Sequence, residues 1–159
     1  MQFQQPVQAS QSQLSLFEAF IAQPRAVRAK EKTESSRILE QDAFSELTLR
    51  GAAGNCLFLL APVLRELSQG DAGRWLTLVA PPASLTQGWL RDAGLNRERI
   101  LLLQPRPGQD VTELTCEALR LGRSHTVISW FNQMDQATRR KLLQAASLGN
   151  AQSLNIRLG

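Results

Sequence analysis

The clearest pattern of apolar and polar positions lies between residues 73 and 103. Residues 75–80 (WLTLVA) form an unbroken apolar run carrying β-branched Thr77 and Val79, the composition of a buried strand. Pro81 and Pro82 end that strand, because neither has a backbone N–H to give to a ladder. Ser84, followed three residues later by Gln87, has capping-box spacing and predicts a helix start. Leu85, Trp89 and Ala93 recur every fourth residue along that helix, and Gly94 supplies a left-handed stop. A second apolar run, 100–103, has charge before it and Pro105, Pro107 and Gly108 after it. Strand, helix, strand makes one βαβ unit.

Upstream, Ile38, Leu39, Phe44, Leu47 and Leu49 predict a first strand or a ribbon of two short ones. Leu57, Leu60, Leu64 and Leu67 mark a helical stripe over 56–67, which Pro62 should kink or force to start late. Downstream, Asp110 with Glu113 repeats the capping-box spacing. Val111, Leu114, Ala118 and Leu121 keep a 3.6-residue period, and Gly122 closes the helix. Residues 126–131 (TVISWF) read as another buried strand, and Asp135 caps a further helix through Leu148 with Gly149 past its end. Leu154, Ile156 and Leu158 then alternate with polar residues, the mark of a strand with one wet face.

Alternating strands and helices predict an α/β fold, a mostly parallel central sheet with helices on both faces. The half-polar last strand is expected at an edge, with an antiparallel orientation open to it. Such an edge would allow a homodimer by sheet extension. Residues 1–34, rich in Gln, Ser and Ala, read as a flexible N-terminal tail, and 35–159 as a single domain.

Composition narrows the function classes. Hydrophobic residues at 43% and charged residues at 20% are an ordinary globular balance over 159 residues, enough chain for one real core. The net charge of +4 and pI near 9.8 favour acidic partners. No block of five like charges occurs, so nucleic acid is not the expected partner. Cys56 and Cys116 are not spaced as a metal site or a redox pair and read as reduced core thiols. No apolar run approaches the roughly 18 residues of a membrane span, and the N-terminus lacks the order of a secretion signal; the expected location is the cytoplasm.

Catalytic equipment is not expected. Gly51 and Gly54 sit where a first strand meets a first helix, but a phosphate loop needs lysine and then a hydroxyl residue after its last glycine. Here Asn55 and Cys56 follow Gly54, and no lysine occurs between Lys32 and Lys141. His125 is the only histidine and no G-x-S-x-G elbow is present, so no hydrolase triad can be assembled. The pairs Glu31/Glu34 and Glu40/Asp42 lie where nothing desolvates them. Neither a cofactor nor a metal is expected, and the chain does not read as an enzyme.

What remains is recognition. Trp75 and Trp130 sit inside apolar runs and read as core. Trp89 has two readings: core, in a stripe with Leu85, or surface contact, beside Gln87, Gly88 and Arg91. Arg74, Arg97, Arg99 and Arg106 flank the same unit, either as ordinary strand-end charge or as part of a Trp/Arg contact patch.

These residues also carry a resemblance. The run RW-x5-PP-x2-L-x3-W-x4-GL from Arg74 to Leu95, the later ALR-x-G and VISW segments, and the helix ending LLQAASLGNA resemble the SulA family of bacterial cell-division inhibitors. The likeness spans roughly residues 36 to 158. It implies a RecA-like core without a Walker A phosphate loop, and synthesis in the SOS response to DNA damage. It further implies binding to the tubulin-like GTPase FtsZ, which blocks head-to-tail polymerisation and septum formation and lowers GTPase activity. Removal by the Lon protease is implied too, although some members carry a longer C-terminal tail for degradation than the one ending here at Gly159. Carried over by position, the FtsZ-binding residues are Arg74, Val79, Trp89 and Arg99. Arg99 stands where a relative has lysine, and Val79 where it has leucine. The competing reading is a degenerate RecA-like accessory protein that binds DNA through Arg97, Arg99, Arg106 and the basic patch of Arg139, Arg140 and Lys141.

Overall fold

The computed structural model describes residues 43–70 and 73–159, all within one compact unit, Glu40–Gly159. The expected tail, residues 1–34, and the apolar Ile38 and Leu39 lie outside the described residues. The elements are β1 (Phe44–Leu49), α1 (Ala53–Ser68), β2 (Trp75–Val79), α2 (Gln87–Asp92) and a 3-10 turn (Arg97–Arg99). Then come β3 (Ile100–Leu103), α3 (Val111–Arg120), β4 (Ser124–Ser129), α4 (Gln136–Gly149) and β5 (Gln152–Leu158). The five strands form one all-parallel sheet in the order β1-β5-β4-β2-β3.

Strand alternation divides the core in two. Leu76 and Leu78 of β2, Ile128 of β4 and Ile156 of β5 pack with Leu60 and Leu64 of α1 and with Leu85, Leu90 and Leu95 around α2. Val79 and Val127 face the other way, against Cys116 and Leu119 of α3 and Leu142, Ala145 and Ala146 of α4. Helices therefore cover both faces, as the alternation predicts. Cys56 and Cys116 are both free and buried. On the α3/α4 face, the buried hydroxyls of Thr77 and Ser124 bond each other at 2.6 Å.

The last strand departs from expectation. β5 is not an edge: it pairs in parallel with β1 on one side and with β4 on the other. Both its ladders are occupied, so it offers no free edge for a sheet-extended homodimer; the edges are β1 and β3. Of its alternating polar residues only Arg157 is exposed, while Ser153 and Asn155 are buried and mark no wet face. Asn155 is fully buried, and its side chain works as an extra length of backbone. Its carbonyl oxygen accepts from the Phe131 amide at 2.8 Å, while its amide nitrogen donates to the Phe131 carbonyl at 3.0 Å. Glu46 of β1 lies beside it and pairs with Arg139 at 2.7 Å, and that guanidinium also sits 5.0 Å from the Phe44 ring centroid.

Other departures are local. α1 starts before Cys56, at Ala53, and continues through Pro62, which is on the exposed side where the carbonyl it leaves unpaired can turn to water. Thr86, not Ser84, caps α2 by accepting from the Trp89 amide at 3.0 Å; the residues before it are held in a turn, with the Leu85 amide on the Pro82 carbonyl. Gly149 is inside α4, and Asn150 takes the left-handed cap at φ 48°. Asp110 and Asp135 cap α3 and α4 as predicted, accepting from Thr112 and Thr138.

Candidate functional site

Parallel pairing fixes where the four resemblance-derived residues fall. Leu76 of β2 lies opposite Ile100 of β3, so Arg74, Trp75 and Arg99 share the amino-terminal end of two neighbouring strands. Val79 lies at the other end of β2, on the α3/α4 face, with no exposed surface. Trp89 is half-buried on α2 and packs against the leucine core of the opposite face. The structure thus brings Arg74 and Arg99 to one end of the sheet and separates Val79 from them.

Arg74 has a structural task visible in its bonds. Its Nε donates to the Gly122 carbonyl at 3.2 Å, and one terminal nitrogen donates to the carbonyls of Ser124 at 2.6 Å and Gly149 at 3.1 Å. Gly122 and Gly149 lie at the carboxyl ends of α3 and α4, where carbonyls lack intrahelical partners and the helix dipole favours a cation. One planar guanidinium ties β2 to both helices. Arg65 does the same for α2, holding the Ala93 carbonyl at 3.0 and 2.6 Å with two nitrogens and so fixing where Trp89 sits. The 3-10 turn carrying Arg99 is joined to the first turn of α2 by Arg97, which donates to the Gln87 side chain at 2.9 Å.

Sequence reasoning missed Trp75 as a surface residue. It is 42% exposed and beside Arg74 in sequence, one residue before the first β2–β3 pair, Leu76 with Ile100, although its apolar run reads as core. The available signal is position: as the first residue of β2 it lies at the end of the sheet, and its amide bonds the Arg123 carbonyl at 3.0 Å. Trp130, at the other end of β4, packs against the leucine core as expected. His125 is partly exposed and its Nδ1 meets the Thr126 hydroxyl at 2.9 Å. Arg139, one of the three residues of the basic patch on α4, is engaged with Glu46. Among the described residues no helix is long and apolar enough to cross a membrane.

Fold and site together define a class: a five-stranded, all-parallel α/β domain with arginine and tryptophan gathered at the amino ends of β2 and β3. Comparison with known proteins narrows the class. Residues 43–153 match the family described as "Cell division inhibitor SulA". The cell division inhibitor SulA of Pseudomonas aeruginosa is 59% identical over 152 residues, covering 93% of this chain and 94% of that protein. The SulA of Serratia proteamaculans is 32% identical over 123 residues, covering 77% and 71%. The crystal structure of SulA from Pseudomonas aeruginosa superposes with a TM-score of 0.71 at 64% identity, over 75% of this chain and 100% of that one. The chain belongs to the SulA family of cell division inhibitors. That family is named for arrest of septation in the cell cycle, not for a reaction.

Proposed function

We propose that this chain, made during the SOS response, stops division in the cytoplasm by binding FtsZ and covering the face on which the next FtsZ subunit would add. The observation that carries this reading is the 59% identity to a cell division inhibitor along nearly the whole of both chains. Head-to-tail polymers grow through a heterologous contact, so one capped face ends extension without any chemistry on GTP. GTP turnover falls with polymer, and Lon protease later removes the inhibitor.

The geometry supports different roles for the four candidate residues. Trp89 and Arg99, both partly exposed, together with Trp75, touch the partner; aromatic and arginine side chains carry much of the energy of such contacts. Val79 is buried and Arg74 is engaged with three carbonyls, so both act by holding β2 and its helices in place. Any homodimer uses a surface other than β5, which is paired on both sides.

The test mixes purified protein with FtsZ and GTP and follows polymer by light scattering and phosphate release. Inhibition is expected for the native chain. Arg99→Glu and Trp89→Ala are each expected to lose about 2 kcal/mol of binding, a roughly thirtyfold drop in potency. Far-UV circular dichroism should show both variants folded. Normal polymer beside an excess of the native chain, with steeply salt-dependent DNA binding instead, would favour the DNA-accessory reading.

A further inference from the structure

A cleft of about 300 Å³ opens between α3 and α4, on the face of the sheet away from α2 and Trp89. That volume is at the lower end of those that hold small molecules. Its floor is apolar: Cys116 and Ala145, with Leu148 at 70% exposure along one wall. Arg120 and Lys141 enter it from opposite helices, and Gln144 adds a neutral polar group. Among the described residues, the Arg120 side chain bonds only the Cys116 carbonyl, through Nε at 3.2 Å, and Lys141 has neither a hydrogen bond nor an ion pair. Both cations lie close to Cys116: burial pushes that thiol up, against their opposing pull. Glu113 is the one carboxylate in the lining. With Asp110 also near enough to act on the same thiol, the two cations face two carboxylates, a balance too weak for a phosphate and better matched to a monoanion.

We propose that this cleft binds a small carboxylate with an apolar body, the oxyanion held between Arg120 and Lys141 and the body lying over Cys116, Ala145 and Leu148. An arginine fork and a lysine converging from two rigid helices suit a carboxylate, since guanidinium matches its two oxygens. An exposed leucine at the cleft wall loses water only when something apolar covers it. This site is independent of the FtsZ reading and stands whether or not that reading holds.

The test is an NMR titration of the full chain with sodium hexanoate at constant ionic strength, compared with acetate and with hexanol. Saturable amide shifts confined to α3 and α4 are expected with hexanoate, and at least tenfold weaker binding with acetate or hexanol. Lys141→Gln should weaken hexanoate at least tenfold, and Arg120→Gln should do the same. Lys141 is exposed, so its variant keeps the test decisive even if Arg120→Gln loosens the end of α3. Shifts that never saturate, equal binding of hexanol, or hexanoate binding unchanged by Lys141→Gln would each overturn the proposal.

Discussion

At the scale of single residues, close approach and carbonyl capping decide more than hydrophobicity does. Gly149 is required by distance: a Cβ placed there would overlap the backbone carbonyl of Leu119, and backbone cannot swing aside as a flexible side chain would. Gly149→Ala is therefore expected to destabilise the fold by about 3 kcal/mol, at the upper end of overpacking costs, and to lower the thermal midpoint by several degrees. Arg74 is required by geometry. Lysine presents its three donors from a single nitrogen and not from a planar fork, so Arg74→Lys should recover only part of the roughly 2 kcal/mol that Arg74→Ala loses. Urea unfolding of the two variants measures the difference. If Arg74→Ala keeps full stability and loses only FtsZ inhibition, then Arg74 is a contact residue after all.

Among elements, helix ends are where sequence signals are strongest and also where they mislead. Asp135 caps α4 through the Thr138 amide at 2.7 Å, and hydrogen bonding from Thr138, first its side chain and then this amide, holds the Asp135 carboxyl below the ordinary carboxylate value. A lowered folded pKa means the ionised cap favours the folded state. Its contribution is complete above the unfolded carboxylate pKa and is lost as the pH falls through the lowered folded value. Thermal midpoints of the native chain and of Asp135→Ala should thus differ at neutral pH and converge in acid. An unchanged gap at low pH would show that the cap acts without its charge. The α2 start shows the opposite lesson. Ser84 with Gln87 has the right spacing, yet the Leu85–Pro82 turn occupies Ser84 and passes the capping task to Thr86.

For the molecule as a whole, the decisive feature is the polar seam around the buried Asn155 side chain, which joins β1, β5, the end of β4 and α4. Glu46, Phe131, Arg139 and Asn155 meet there, although the sequence separations reach 109 residues. Removing the Asn155 amide leaves the Phe131 N–H and carbonyl without their partner, so Asn155→Ala should cost about 3 kcal/mol, and Asn155→Leu no less. Equilibrium unfolding followed by tryptophan fluorescence would measure it. A loss well under 1 kcal/mol would mean that water replaces the amide.

The sequence by itself determined the α/β alternation, the apolar strands β2, β3 and β4, and the aspartate caps of α3 and α4. These depend on residues within a few positions of one another, where periodicity and capping act directly. Only the tertiary structure decided that β5 lies inside the sheet, that Trp75 is exposed, that Val79 is fully buried, and that Arg65 and Arg74 hold helix ends. A polar residue in a strand looks the same in sequence whether it faces water or a buried amide partner. Which one it meets depends on strand order, and strand order is set by contacts between segments far apart along the chain.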